Sequence, residues 1–390
     1  MFKLSSRHRG VFRKFNNLSR ATSASFATGS HPIVVKNGLI VNTEGQFHGD
    51  VHINNGIITN VSERGAVKPD SKAEIIDADG RYVIPGGIDP HVHMEMPFMG
   101  TVSIDDYNYG TRAGLAGGTT TLIDYIIPSP GQSLVEAYEA WAARAKPKVN
   151  SDYSFHCCIT YWADTIPGDM EVLVKEKGIT SFKIFLAYKD LFQVNDDEVL
   201  KIMQAAKKLG AMTLVHAENG DCVVTGQQRM EELGIYGPEG HSMSRNDELE
   251  AEATHRAITL AQHVGAPVYI VHVMSKLAAD EVARGRRKGF IVFGEPIASG
   301  LGVDGSNMWA HDWRYAAGYV MSPPLSPDPT TKEDLMKRLA AGELQLVATD
   351  NCTFSTEQKM RGRETFTKIP NGVNGIEDRL SIVWNNGVKK

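Results

Sequence analysis

At 390 residues and 42% hydrophobic side chains, the chain can bury a large core, enough for one large domain or two smaller ones. A net charge of −5 provides no basic footprint for nucleic acid, and no apolar run is long enough for a membrane span. The four cysteines, Cys157, Cys158, Cys222 and Cys352, lack C-x-x-C spacing, so they read as ordinary small core residues in a reduced interior, not as a disulfide frame.

Residues 1–32 differ in composition from the rest. They contain Lys3, Arg7, Arg9, Arg13, Lys14 and Arg20, many serines and no acid, which fits a mitochondrial presequence; a disordered basic tail is the alternative. Residues 33–84 hold short β-type runs, "IVVKNGLIV", "DVHINNGIITNV" and "EIIDADGRYVI", and form the expected small β domain. Asn37-Gly38, Asn55-Gly56 and Asp79-Gly80 are hairpin signals, because tight primed turns need positive φ at both central residues.

From residue 85 to 390 the period changes to apolar strand, loop and amphipathic helix, repeated. Strand candidates in chain order are "RYVIPGGIDPHVH", "TTTLIDYII", "YSFHCCIT", "TSFKIFLAY", "AMTLVHAEN", "PVYIVHVM", "GFIVFGEPI" and "LQLVATD". Between them lie helical patterns such as "SLVEAYEAWAARA", "DDEVLKIMQAAKKLG", "NDELEAEATHRAITLAQHVG" and "TKEDLMKRLAAG". Near-continuous apolar strands alternating with helices imply a parallel sheet covered on both faces, and the count suits a (β/α)8 barrel. The stretch "GLGVDG" satisfies G-x-G-x-x-G, but "SNMWAHDW" after it reads as loop, so a dinucleotide site is rejected.

The polar residues now fall into a pattern. The first barrel strand ends in His91 and His93, the fourth carries Lys183, the fifth ends in His216, the sixth in His272 and the eighth in Asp350. Catalytic groups in such barrels come from the C-terminal ends of several strands, and residues two apart on a strand share a face. One histidine after an apolar run is more often a satisfied core residue; four with an aspartate at equivalent ends point to metal ligation. Lys183 sits inside an apolar strand, where an ammonium is costly. A discharged amine there can take up carbon dioxide as a carbamate able to bridge two cations. A lysine that snorkels to solvent is the structural alternative.

The stretches "GGIDPHVHMEMPFMGTVSIDDYNYGTRAGLAGGTTTLIDY", "SFKIFLAYKD", "LVHAENGD", "IVHVMSK", "FGEPIASGLGVDG", "YVMSPPL", "ATDNCTF" and "KIPNGVNGIEDRL" resemble the dihydropyrimidinase and D-hydantoinase branch of the amidohydrolase superfamily. The resemblance implies a TIM-like metal-dependent hydrolase barrel with a small β-sandwich domain. The sandwich and the last barrel helix are expected to be incomplete, because relatives continue past "RLSIVWNNGVKK". It implies two zinc ions bridged by N6-carboxylated Lys183, with His91, His93, His216, His272 and Asp350 as the other ligands. Tyr188, Ser322 and Asn371 match the family's substrate contacts, the last two acting largely through backbone groups. Asp350 would act as general base and then acid, and Tyr188 as oxyanion donor.

The activity so implied is opening of dihydrouracil, dihydrothymine or a hydantoin to an N-carbamoyl amino acid, in pyrimidine catabolism. A non-catalytic scaffold on the same fold is the alternative, disfavoured because all six ligand positions are kept. The family implies a cytoplasmic homotetramer acting on small molecules, with no nucleic-acid or membrane partner. Relatives that open dihydroorotate resemble H-x-H-x-R, where an arginine forks onto the substrate carboxylate. Glu95 stands at that position here, and is expected to repel an acidic substrate. The apolar loop "MEMPFMG" is expected to line the ring pocket.

Overall fold

A computed structural model of the chain describes residues 31–389. The targeting-segment expectation lies, but for its last two residues, outside them. The chain divides into two compact units between Gly86 and Gly87.

The first unit is a five-stranded sheet. Strands β1 (Ile33–Asn42), β2 (Gly45–Asn54) and β3 (Ile57–Glu63) form an antiparallel meander. Strands β4 (Glu74–Asp77) and β5 (Tyr82–Val83) both pair in parallel with β1. Asn55 and Gly56, at φ 51° and 75°, make the expected tight turn between β2 and β3.

The other two Asx-Gly pairs are not hairpins. Asn37, at φ 58°, lies inside β1 where the register against β2 shifts, so the pair forms a β-bulge. Its backbone N–H donates to Asp50 (2.9 Å) and its side chain to Asp77 (3.0 Å). A Cβ on Gly38 would come within 2.4 Å of Val83. Asp79-Gly80 redirects the chain from β4 to β5 along the same neighbour. Positive φ was legible; which partner the chain meets afterwards was not.

The second unit is built on a curled parallel sheet of seven strands in the order β14-β13-β12-β11-β10-β9-β6. These are β6 (Gly87–Val92), β9 (Thr119–Ile126), β10 (Asp152–Cys158), β11 (Ser181–Phe185), β12 (Met212–His216), β13 (Val268–Ile270) and β14 (Val292–Gly294). A short hairpin, β7 (Pro97–Phe98) with β8 (Thr101–Val102), follows the first of them.

The expected eighth strand is present only as isolated bridges. Ala348 pairs with Ile297 on one side and Asn351 with Val92 on the other, and Gln345 N–H donates to the Gly294 carbonyl (3.1 Å). This segment therefore joins the end of β14 to β6 and closes the ring. Asp350 has φ 51°, a left-handed conformation that cannot continue a ladder.

Helices connect the strands and cover the sheet. The helix Asp196–Leu209 buries Val199, Ile202, Met203 and Ala206, the i, i+3, i+4, i+7 set of one face. Asn195 and Glu198 form a reciprocal capping box at its start, and Gly210 ends it at φ 69°. Asp247–Val264 begins at the cap Asn246 and ends at Gly265, φ 68°. Leu134–Ala145 and Thr331–Ala340 also fall where the periodicity placed them. Cys157, Cys158 and Cys352 are buried, but Cys222 is exposed on the helix Gly220–Glu232, contrary to its expected core position.

Candidate active site

Each candidate ligand lies at the C-terminal side of the curled sheet. His91 is in β6 and His93 follows it; Lys183 is in β11, in register with Cys158 on β10 and Leu214 on β12. His216 is the last residue of β12 and pairs in register with Phe185. His272 lies two residues beyond β13 and Asp350 in the closing segment. Tyr188, His272 and Asp350 all have left-handed φ, at 60°, 37° and 51°. Such strain collects at functional sites, where surrounding structure holds it in place.

One pocket gathers all nine residues singled out from the sequence: His91, His93, Lys183, Tyr188, His216, His272, Ser322, Asp350 and Asn371. Asp350 Oδ1 lies 3.1 Å from both His91 Nε2 and His93 Nε2, and these three residues can place ligand atoms within 4.8 Å of one another. The His216 and His272 rings are 4.4 Å apart, and His272 is 5.5 Å from His91, centroid to centroid. Met96 and Phe98 form part of the wall, as expected of the loop after the histidine pair, and Phe192 and Cys352 complete its apolar side.

The electrostatics suit cation binding. Burial lowers the pKa of His93, His216 and His272, keeping these rings neutral with lone pairs available. Burial also opposes charge on His91 and Asp350, but each supports the other. The His91 pKa is raised by Asp350, and Asp350 is held well below the usual carboxylate range by His91 and His93. His93 Nδ1 and His272 Nδ1 are buried without hydrogen-bond partners, which buried polar atoms rarely tolerate.

Lys183 is 1% exposed, with its Nζ 4.7 Å above the Tyr125 ring and 5.2 Å from the Phe185 ring centre. Burial lowers its pKa to about 8. It does not snorkel. Its amine is therefore discharged far more readily than that of a surface lysine.

Several residues of the site were not singled out from the sequence. Glu295 accepts from His91 Nδ1 (2.8 Å) and from the His272 backbone (3.2 Å), and also bonds the Tyr269 hydroxyl. Glu218 holds His216 Nε2 at 2.7 Å, and Arg245 reaches both Glu218 and Ser322. An H-A-E run could have flagged Glu218. Nothing local marks Glu295 or Arg245, whose partners are distant in the chain.

Glu95 overturns one expectation. Its carboxylate pairs with Lys148 (2.6 Å) and accepts from the Tyr107 backbone (3.2 Å), and it is not part of the pocket wall. It anchors a loop with φ 50° at its own position, and its charge is taken up by Lys148 outside the pocket wall. The absence of an arginine for a substrate carboxylate stands; the electrostatic argument does not.

The model of the Amidohydrolase family matches residues 82–232. The chain is 56% identical over 356 residues to a dihydropyrimidinase of Dictyostelium discoideum, covering 91% of this chain and 70% of that protein. The chain belongs to the dihydropyrimidinase and hydantoinase branch of the amidohydrolases. A crystal structure of a D-hydantoinase superposes with a TM-score of 0.89 at 40% identity, covering 92% of this chain and 77% of that one. The dihydropyrimidinase of Brevibacillus agri gives 0.88 at 39% identity, with the same coverage. The family is metal-dependent, and the His91, His93 and Asp350 group can hold an ion.

Proposed function

We propose that the chain hydrolyses the cyclic amide bond of 5,6-dihydropyrimidines or hydantoins to N-carbamoyl amino acids, in pyrimidine catabolism. The observation that carries the reading is the convergence of His91, His93, Lys183, His216, His272 and Asp350 in one pocket with Tyr188, Ser322 and Asn371. In this reading His91, His93, His216, His272, Asp350 and a carboxylated Lys183 would together hold two zinc ions. The metal pair supplies Lewis acidity and a nucleophile at neutral pH when bound.

The chain's own residues perform the rest. The Asp350 carboxylate, ionised and aimed into the pocket, takes the proton of the attacking water and later gives it to the departing ring nitrogen. The Tyr188 hydroxyl, kept protonated by burial, donates to the oxygen that becomes anionic as the carbonyl is attacked. Removing such a donor costs about 3 kcal/mol of barrier lowering in comparable sites. Ser322 and Asn371 orient the ureide face, and Met96, Phe98 and Phe192 exclude water around the ring.

No helix among the described residues is long and apolar enough to cross a membrane. A cytoplasmic enzyme acting on a small neutral ureide fits this chemistry. The test is a panel of dihydrouracil, dihydrothymine and hydantoin, with ring opening followed by ultraviolet absorbance. At least one is opened, and zinc chelation abolishes the reaction. Metal-loaded protein that opens none of them would instead favour the non-catalytic scaffold.

A further inference from the structure

Arg245 lies one residue before the cap of the helix Asp247–Val264 and is 6% exposed. An arginine present only to pair with Glu218 would place two nitrogens on its two oxygens. It does not do so. A single nitrogen, Nη1, reaches Glu218 Oε2 at 3.2 Å and Ser322 Oγ at 3.0 Å, while Nε is buried without a partner. Ser322 Oγ also accepts from Asn371 Nδ2 at 2.9 Å.

A serine hydroxyl has two acceptor sites and one proton. Both acceptor sites are filled by N–H donors, from Arg245 and Asn371, so the hydroxyl proton turns toward the pocket, where Tyr188 also lies. The same guanidinium touches Glu218, which holds His216, so one side chain spans the ligand side and the substrate side of the pocket.

We propose that Arg245 is a positioning residue that fixes the Ser322 hydroxyl as a one-way donor toward Tyr188 and the bound ureide. The inference rests on the hydrolase reading and goes beyond it, since the family resemblance assigns Ser322 largely through its backbone. Arg245 acts through Ser322 and touches no reacting atom.

A mutant cycle tests it in the zinc-loaded full chain. Arg245→Lys keeps the positive charge beside Glu218 but lacks the rigid fork. It is expected to lower kcat/KM by about ten- to a hundredfold, the worth of a hydrogen bond to a charged group, with metal content and melting temperature unchanged. Added to Ser322→Ala, the same change is expected to cost less than about twofold, because its target is gone.

Fully multiplicative losses in the double variant, or metal lost together with activity in Arg245→Lys, would overturn the proposal. If Arg245→Lys does not fold, Arg245→Gln, which leaves Glu218 in place on His216, enters the same cycle. A wild-type protein inactive on every ureide contradicts the hydrolase reading itself and removes this inference with it.

Discussion

Two imidazoles of the pocket are aimed by carboxylates, one distant in sequence and one only two residues away. Glu295 holds His91 through the ring nitrogen opposite Asp350, and Glu218 holds His216. Partners of this kind fix the tautomer and orientation of a ligand, and losing one costs about 10- to 100-fold in metal affinity. Glu295→Gln is expected to weaken zinc binding by that factor in a chelator competition titration; unchanged affinity would show that Glu295 is only a core polar group. Asp350→Asn should abolish turnover even where some metal remains, since the amide can neither take nor return a proton. The candidate ligands were legible because each sets a polar group within or at the end of an apolar strand. Glu295 and Arg245 were not, because a single charge in a loop looks the same whether it faces water or a histidine about 200 residues away. Glu95 shows the reverse error: its place in the motif suggested a pocket residue, but Lys148 draws it away.

At the scale of the elements, helices were read well because apolar spacing and end signals agree. The Asn195 cap donates nothing to the core, so Asn195→Ala should cost about 1 kcal/mol in urea unfolding. A change above about 3 kcal/mol would mean that the cap does more than close the helix. Strand ends were read too long, because His272 and Asp350 bend into the left-handed region just where the apolar pattern still reads as strand. The same physics misplaced Asn37-Gly38, since a bulge and a hairpin both require positive φ. Helix Asp247–Val264 carries a buried acid, Glu250, that accepts from the Met274 backbone at 2.7 Å. Burial raises its pKa from 4.5 to about 8, against the pull of that hydrogen bond. Between those values the native state holds a proton that the unfolded chain has lost, so this group's contribution to stability declines as pH rises through the window. Glu250→Gln should remove that slope, seen as a smaller drop in urea midpoint from pH 5 to pH 8. An undiminished drop would assign the slope to other groups.

For the whole barrel unit, the irregular eighth segment is what closes the ring. It is locked to β6 by the buried Asp89, which accepts from the Thr349 backbone (3.1 Å) and side chain (2.6 Å). Arg379 lies 3.9 Å from Asp89 and donates to the Val347 carbonyl (3.1 Å) and the Thr119 hydroxyl (2.9 Å). Removing one partner of a buried pair leaves the other uncompensated, so Arg379→Met should destabilise the unit by about 3 to 5 kcal/mol in urea unfolding. A loss under about 1 kcal/mol would show that the closure does not depend on this pair. Eight runs and a closed barrel were legible, but the irregular form of the closing segment was not, because it depends on contacts between residues some 260 positions apart. The claim on which the functional account stands is that six side chains from five parts of this ring share a pair of cations. Zinc analysis of the purified wild type and of Lys183→Ala tests it most directly. About two zinc ions per wild-type chain, with no bridged pair and no turnover in Lys183→Ala, is the predicted result; folded wild type that opens ureides without metal, or a Lys183→Ala variant with full zinc and full turnover, would contradict it.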